Sequence, residues 1–142
     1  MRALLFAVFA LAACASAPPV SGGSELAQQI RADLARLDGE LSASGIVAAG
    51  IGEGADLGGG LIVRPLEIIE DSRCAANVQC VWAGRLRLRA DVSGTQRELT
   101  FGEAFETPQG VVTLEVASPG AWADWPESEI PRPAYRFGFR RG

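Results

Sequence analysis

Three cysteines, thirteen basic residues and three tryptophans are the side chains of this 142-residue chain whose types could do chemistry. Every basic residue is arginine, because the sequence holds no lysine and no histidine. Without an imidazole there is no Ser-His-Asp or Cys-His nucleophile and no His-based zinc site. Without lysine there is no Schiff base and no P-loop lysine. Carboxylates alone remain for hydrolysis. Glycoside cleavage needs two of them at a fixed separation, which nothing in the spacing of the 17 acids specifies. The balance of charge is mildly acidic, at −4, which argues against nucleic acid as a partner. These counts point to a non-enzymatic binding or structural role with no cofactor and no metal.

Cys14 sits at the end of a short export-like segment. Met1 and Arg2 precede the apolar run Ala3–Leu11, too short for the ~20 apolar residues that span a bilayer. A charged start, an apolar stretch and small residues make a secretory signal. The run closes as Leu11-Ala12-Ala13-Cys14, which resembles the lipobox of bacterial lipoproteins. That resemblance implies cleavage before Cys14 and acylation of its sulfur and its new amino group, so the membrane is a partner through an N-terminal lipid. By the same resemblance, Ala15 favours sorting to the outer membrane, facing the periplasm. An ordinary signal peptide with an incidental cysteine is the alternative.

Cys74 and Cys80 are then an even pair in an oxidising compartment. The expected outcome is a structural disulfide, worth roughly 2–2.5 kcal/mol on a chain-entropy basis, rather than a redox or metal site. The surrounding segment, Asp71-Ser72-Arg73-Cys74-Ala75-Ala76-Asn77-Val78-Gln79-Cys80-Val81-Trp82-Ala83-Gly84, resembles the D-S-R-C-P-x₄-C-x-W-x-G signature of an uncharacterised group of bacterial secreted proteins and lipoproteins. Ala75 stands where that signature has Pro. The resemblance implies location and a β fold over about residues 57–142, and brings no activity with it. On the residues alone, Trp82 shares a face with Cys80 and packs beside the disulfide. Asp71 and Arg73 either close a structural corner or face solvent and read a ligand.

Two further constellations could bind. Arg85, Arg87 and Arg89 form a basic stripe that either touches anionic head groups or an acidic partner, or pairs across strands with Glu98 and other acids. Residues 118–133 form a long connection carrying Trp122 and Trp125 with Asp124, Glu127 and Glu129. The two indoles either grip a glycan or peptide, as an envelope inhibitor or sensor would, or plug one end of the fold while the acids stay wet.

The elements that must position these groups follow from periodicity. Residues 24–38 read as a helix with Ser24 as N-cap and Gly39 as a plausible stop, and the stripe Leu26, Ile30, Leu34, Leu37, Leu41 extends the helical segment over 24–41. The Gly-rich stretch 45–60 lacks a phosphate loop's lysine and reads as a connection with a short strand at 46–51. From residue 61 the period becomes two. Strands are expected at 61–70, with Pro65 marking an edge, and at 80–92, with Cys80, Trp82, Leu86, Leu88, Ala90 and Val92 inward. A Ser93-Gly94 turn would set Leu88 opposite Leu99, Leu86 opposite Phe101 and Arg89 opposite Glu98. Two more strands follow, at 111–117 with Val112, Leu114 and Val116 inward, and at 134–140 with Tyr135, Phe137 and Phe139 inward. The expected fold is mainly β, a small antiparallel sandwich or partly open barrel of five or six strands preceded by one amphipathic helix. Signal peptide 1–13, flexible tether 14–23, helix 24–41 and stapled β-domain 45–142 complete the expected organisation.

Overall fold

The computed structural model describes residues 23–142. The lipidation site Cys14 and the signal segment 1–13 lie outside the described residues, as does the tether 14–23 except for Gly23. One helix, α1 (Glu25–Leu41), is followed by eight strands: β1 (Ile46–Gly50), β2 (Ala55–Asp56), β3 (Ile62–Asp71), β4 (Leu86–Val92), β5 (Thr95–Thr100), β6 (Ala104–Thr107), β7 (Gly110–Ser118) and β8 (Arg136–Arg141). They form two four-stranded antiparallel sheets, ordered β1-β8-β7-β6 and β2-β3-β4-β5. The protein is a small β-sandwich preceded by a helix, as the alternating pattern requires.

The core lies between the sheets. Leu86, Leu88, Ala90 and Val92 of β4 meet Val112, Leu114, Phe137 and Phe139 of the facing sheet. The β4–β5 hairpin has the expected register, with Leu88 opposite Leu99 and Arg89 opposite Glu98. Pro65 lies on an inner strand by order, yet β2 covers β3 only at Ile62 and Val63. Beyond that point no strand pairs with β3 on that side, and at Pro65 only the Gly52 N–H reaches it, donating to the Pro65 carbonyl at 2.7 Å, so a residue without an N–H is tolerated there.

Helix α1 packs outside the β1-β8-β7-β6 sheet. Ser24 caps it, its Oγ accepting from the Ala27 N–H at 3.2 Å. It runs through Gly39 and ends at Leu41. Leu37 and Leu41 both bury against Val116 and Ala48, and that burial outweighs the roughly 1 kcal/mol a helical glycine costs.

Four sequence expectations are corrected. The 80–92 strand begins only at Leu86, because Gly84 adopts φ +67° and resets the alternation, so positions 80 and 82 lose the face they would share with 86 and 88. Val116 turns to the helix instead of the inter-sheet core, since the β7–β8 register shifts between Leu114 and Val116. Phe101 passes the end of β5 and stays 38% exposed. The strand number is eight among the described residues, because the two-residue β2 and the four-residue β6 are too short to show a period.

Burial therefore separates Leu88 from Phe101. Leu88→Ala is expected to cost about 2–5 kcal/mol and Phe101→Ala under about 1 kcal/mol, measured by urea unfolding. Equal losses would contradict the placement of Phe101.

Candidate functional site

The site is built where β3 ends and β4 begins. Cys74 and Cys80 are bonded, with Cα atoms 5.8 Å apart, and the loop they close stands on a continued backbone ladder. The Ser72 N–H donates to the Arg85 carbonyl at 2.8 Å and the Cys74 N–H to that of Ala83 at 3.0 Å. A Cβ on Gly84 would lie 1.7 Å from the Ser72 carbonyl oxygen, so only glycine lets the two backbones approach this closely. Ser72 Oγ donates to Glu70 at 2.8 Å and accepts from the Arg85 N–H at 3.1 Å.

Beneath the loop, Arg73 forms a fork with Asp71: Nε to Oδ1 and Nη2 to Oδ2, each at 2.8 Å. The same guanidinium donates across to the other sheet, from Nη1 to the Ala117 carbonyl at 3.3 Å and from Nη2 to the Pro119 carbonyl at 3.0 Å. Tyr135 Oη donates to Asp71 Oδ2 at 2.7 Å, and its ring stacks on Phe137 with centroids 5.8 Å apart. Asp71 is open to solvent along its backbone, but both charged side chains keep only 17% exposure. Burial works to raise the Asp71 carboxyl, yet the bonds from Arg73 and Tyr135 hold it below its ordinary value. Burial likewise works to lower Arg73, and Asp71 more than reverses it. The Tyr135 phenol is pushed up, by burial first and by the adjacent carboxylate second. Of the two readings of Asp71 and Arg73, the geometry is that of a structural corner, with both groups engaged by the protein itself.

The 119–135 connection is held on both sides. Toward the stapled loop, Asn77 pairs with the Ala123 backbone, donating to its carbonyl at 3.1 Å and accepting from its N–H at 2.9 Å, while the Ala76 N–H donates to the Ala121 carbonyl at 2.8 Å. Toward the helix, Trp122 Nε1 donates to Asp33 at 2.9 Å, and Glu129 accepts from the Ser24 N–H at 2.7 Å. Trp125 is only 9% exposed and packs with Ala27, Ile30 and Ile130. Its Nε1 donates to the Ile130 carbonyl at 2.8 Å, and Arg132 covers its ring at 4.6 Å. The expected plug at the end of the sheets is thus corrected: the tryptophans clamp the helix to the connection, since the stripe of α1 supplies the apolar surface they need. Trp125 offers no face to a sugar.

The arginine stripe is neutralised in place. Arg85 and Arg87 share Glu70 at 2.9 and 3.2 Å, Arg87 also pairs with Glu98, and Arg89 pairs with Glu67 across β3. Glu70 is held below its ordinary value, first by the Ser72 hydroxyl and then by the two arginines. Pairs this open to solvent add little to stability, so the stripe is mainly a register device between strands.

A depression of about 240 Å³ lies over Asp71, Arg73, Gly120, Trp122, Arg132 and Tyr135, smaller than the ~300–1,000 Å³ of drug-sized ligand sites. Among the described residues no three metal-ligating side chains come together, and no helix is long and apolar enough to cross a membrane. What sequence reasoning misplaced is Trp82. It is 82% exposed, and Val81 beside it is 93% exposed. Neither packs on the disulfide, because Gly84 turns the chain before the strand starts. No protein-family model, curated protein or solved structure matches this chain.

Asp71 sets a pH dependence with a definite sign. Its folded pKa is lowered, so it stabilises fully above the unfolded value of about 3.9 and loses that contribution as pH falls from about 4 through the folded value. Asp71→Asn is expected to cost about 1–3 kcal/mol at neutral pH, with the gap from wild type closing in acid. A gap unchanged between neutral pH and strong acid would contradict the role given to the carboxylate.

Proposed function

We propose that this chain is a lipid-anchored lipoprotein of the bacterial cell envelope, held in the outer membrane and facing the periplasm. Its non-enzymatic domain binds or scaffolds an envelope protein or glycan. The observation that carries the reading is how the cysteines divide. Cys74 and Cys80 bond to each other, as suits an exported domain. Cys14 is left as the third thiol, directly after Leu11-Ala12-Ala13 and ten positions before the helix cap at Ser24. The likeness of that tetrapeptide to a lipobox, and of residues 71–84 to the signature of bacterial secreted proteins and lipoproteins, supports the same location.

The electrostatics lend no support to a carboxylic general acid. The described carboxylates whose pKa departs from its ordinary value, Glu70, Asp71 and Glu129, are all lowered. A general acid needs the opposite displacement. Held ionised against arginines, a tyrosine hydroxyl and a helix-start N–H, these groups serve geometry. An inhibitor or glycan sensor working through Trp122 and Trp125 draws no support from indoles engaged with the helix.

The test is expression in a Gram-negative host with radiolabelled palmitate. The mature protein should begin at Cys14, carry label and fractionate with the outer membrane, and Cys14→Ser should lose the label. A mature protein without acyl label, cleaved elsewhere, would refute the anchor.

A further inference from the structure

We infer that the Val81–Trp82 tip of the stapled loop is a membrane-contact element, which dips into the head-group region of the bilayer that holds the lipid anchor. The inference rests on the anchor reading above and adds to it a second, protein-borne contact that orients the domain.

Composition is the first argument. From Cys74 to Gly84 the chain runs eleven residues without a charged side chain, between Arg73 and Arg85. Val78, Val81 and Trp82 are 47%, 93% and 82% exposed. Burying charge in a membrane is costly, and this segment carries none. Trp is suited to the interface, with an apolar body and one N–H for the head-group level.

Position is the second. Asp71 pairs with Leu86 where β3 meets β4, and Ser118 pairs with Arg136 where β7 meets β8. Arg73 joins these two corners, so both lie at one end of the sandwich. The chain enters the domain at that same end, because Ser24 is bonded to Glu129 of the connection whose Ala121 and Ala123 hold the stapled loop. From Cys14 to Ser24, ten residues reach at most about 33–36 Å. An anchored bilayer is therefore within reach of this end.

Area is the third. A tryptophan buries about 150–250 Å². With two valines that is well short of the roughly 800 Å² per partner in a stable protein interface. It is suited to orienting a domain that the acyl groups on Cys14 already hold at the bilayer. The disulfide, Gly84 and the Asn77 pairing hold the base of the loop, so little ordering is needed for the tip to bind.

The test uses the full acylated protein in vesicles of phosphatidylethanolamine and phosphatidylglycerol, with and without brominated acyl chains. Trp82→Ala should fold as the wild type does, with an unchanged thermal melt, since the indole is exposed. The difference in emission between wild type and Trp82→Ala isolates Trp82 from Trp122 and Trp125. Brominated lipid should at least halve that difference. A Trp82 emission equal in both vesicles, from protein that carries acyl chains and floats with them, overturns the inference and leaves the anchor intact. Protein without acyl chains that stays behind when the vesicles float overturns both. Shielding of Trp82 from aqueous quencher in native envelope membranes, absent from pure lipid vesicles, assigns the tip a protein partner and also overturns the membrane contact.

Discussion

The Arg73 guanidinium is where the two sheets, the β7–β8 connection and the stapled loop meet. It forks onto Asp71 at the end of β3 and reaches the Ala117 and Pro119 carbonyls at the end of β7. A cation with 17% of its side chain exposed loses much of its hydration, and it is stable there because its donors meet a carboxylate and two carbonyls. A lysine has no planar fork and could not satisfy that set at once. Tyr135 completes the arrangement by bonding the carboxylate from the start of the last strand. The centre of this corner thus needs the geometry of arginine.

This corner divides the stapled segment into a fixed base and a free tip. Ser72, Arg73, Cys74, Asn77 and Gly84 each have a bond or a close approach that holds them to the fold. Val81 and Trp82 have solvent. The connection that carries Trp122 and Trp125 couples the base to the helix, so the loop and the point where the chain enters the domain are parts of one rigid end. A lipid-anchored protein built in this way would present a stiff, uncharged tip in a direction set by its own anchor point.

The sandwich was legible where a period was long enough to repeat. Alternation over residues 86–92 and the Ser93-Gly94 turn are enough to place Leu88 against Leu99 and Arg89 against Glu98. The cysteine pairing followed from number and the expected compartment. What escaped depends on single-residue events that leave the pattern intact. One glycine with positive φ moved Trp82 from the core face to solvent, and one register shift in β7 turned Val116 to the helix. The tryptophan clamp was hidden for another reason: Trp122 finds its partner, Asp33, 89 positions away, and no local spacing encodes that contact. Asn77 had no signal at all, because its partner is backbone.

Amide hydrogen exchange on Arg73→Met beside the wild type tests the central role of the guanidinium most directly. The account predicts faster exchange at the Ala76 and Ala123 amides, which hold the loop to the connection, and at the Cys74 amide, which bonds the Ala83 carbonyl at the base of the loop. Protection in the β4–β5 hairpin, where Leu88 and Leu99 are paired, should be retained. Unchanged protection at Cys74, Ala76 and Ala123 in a folded Arg73→Met protein would contradict it.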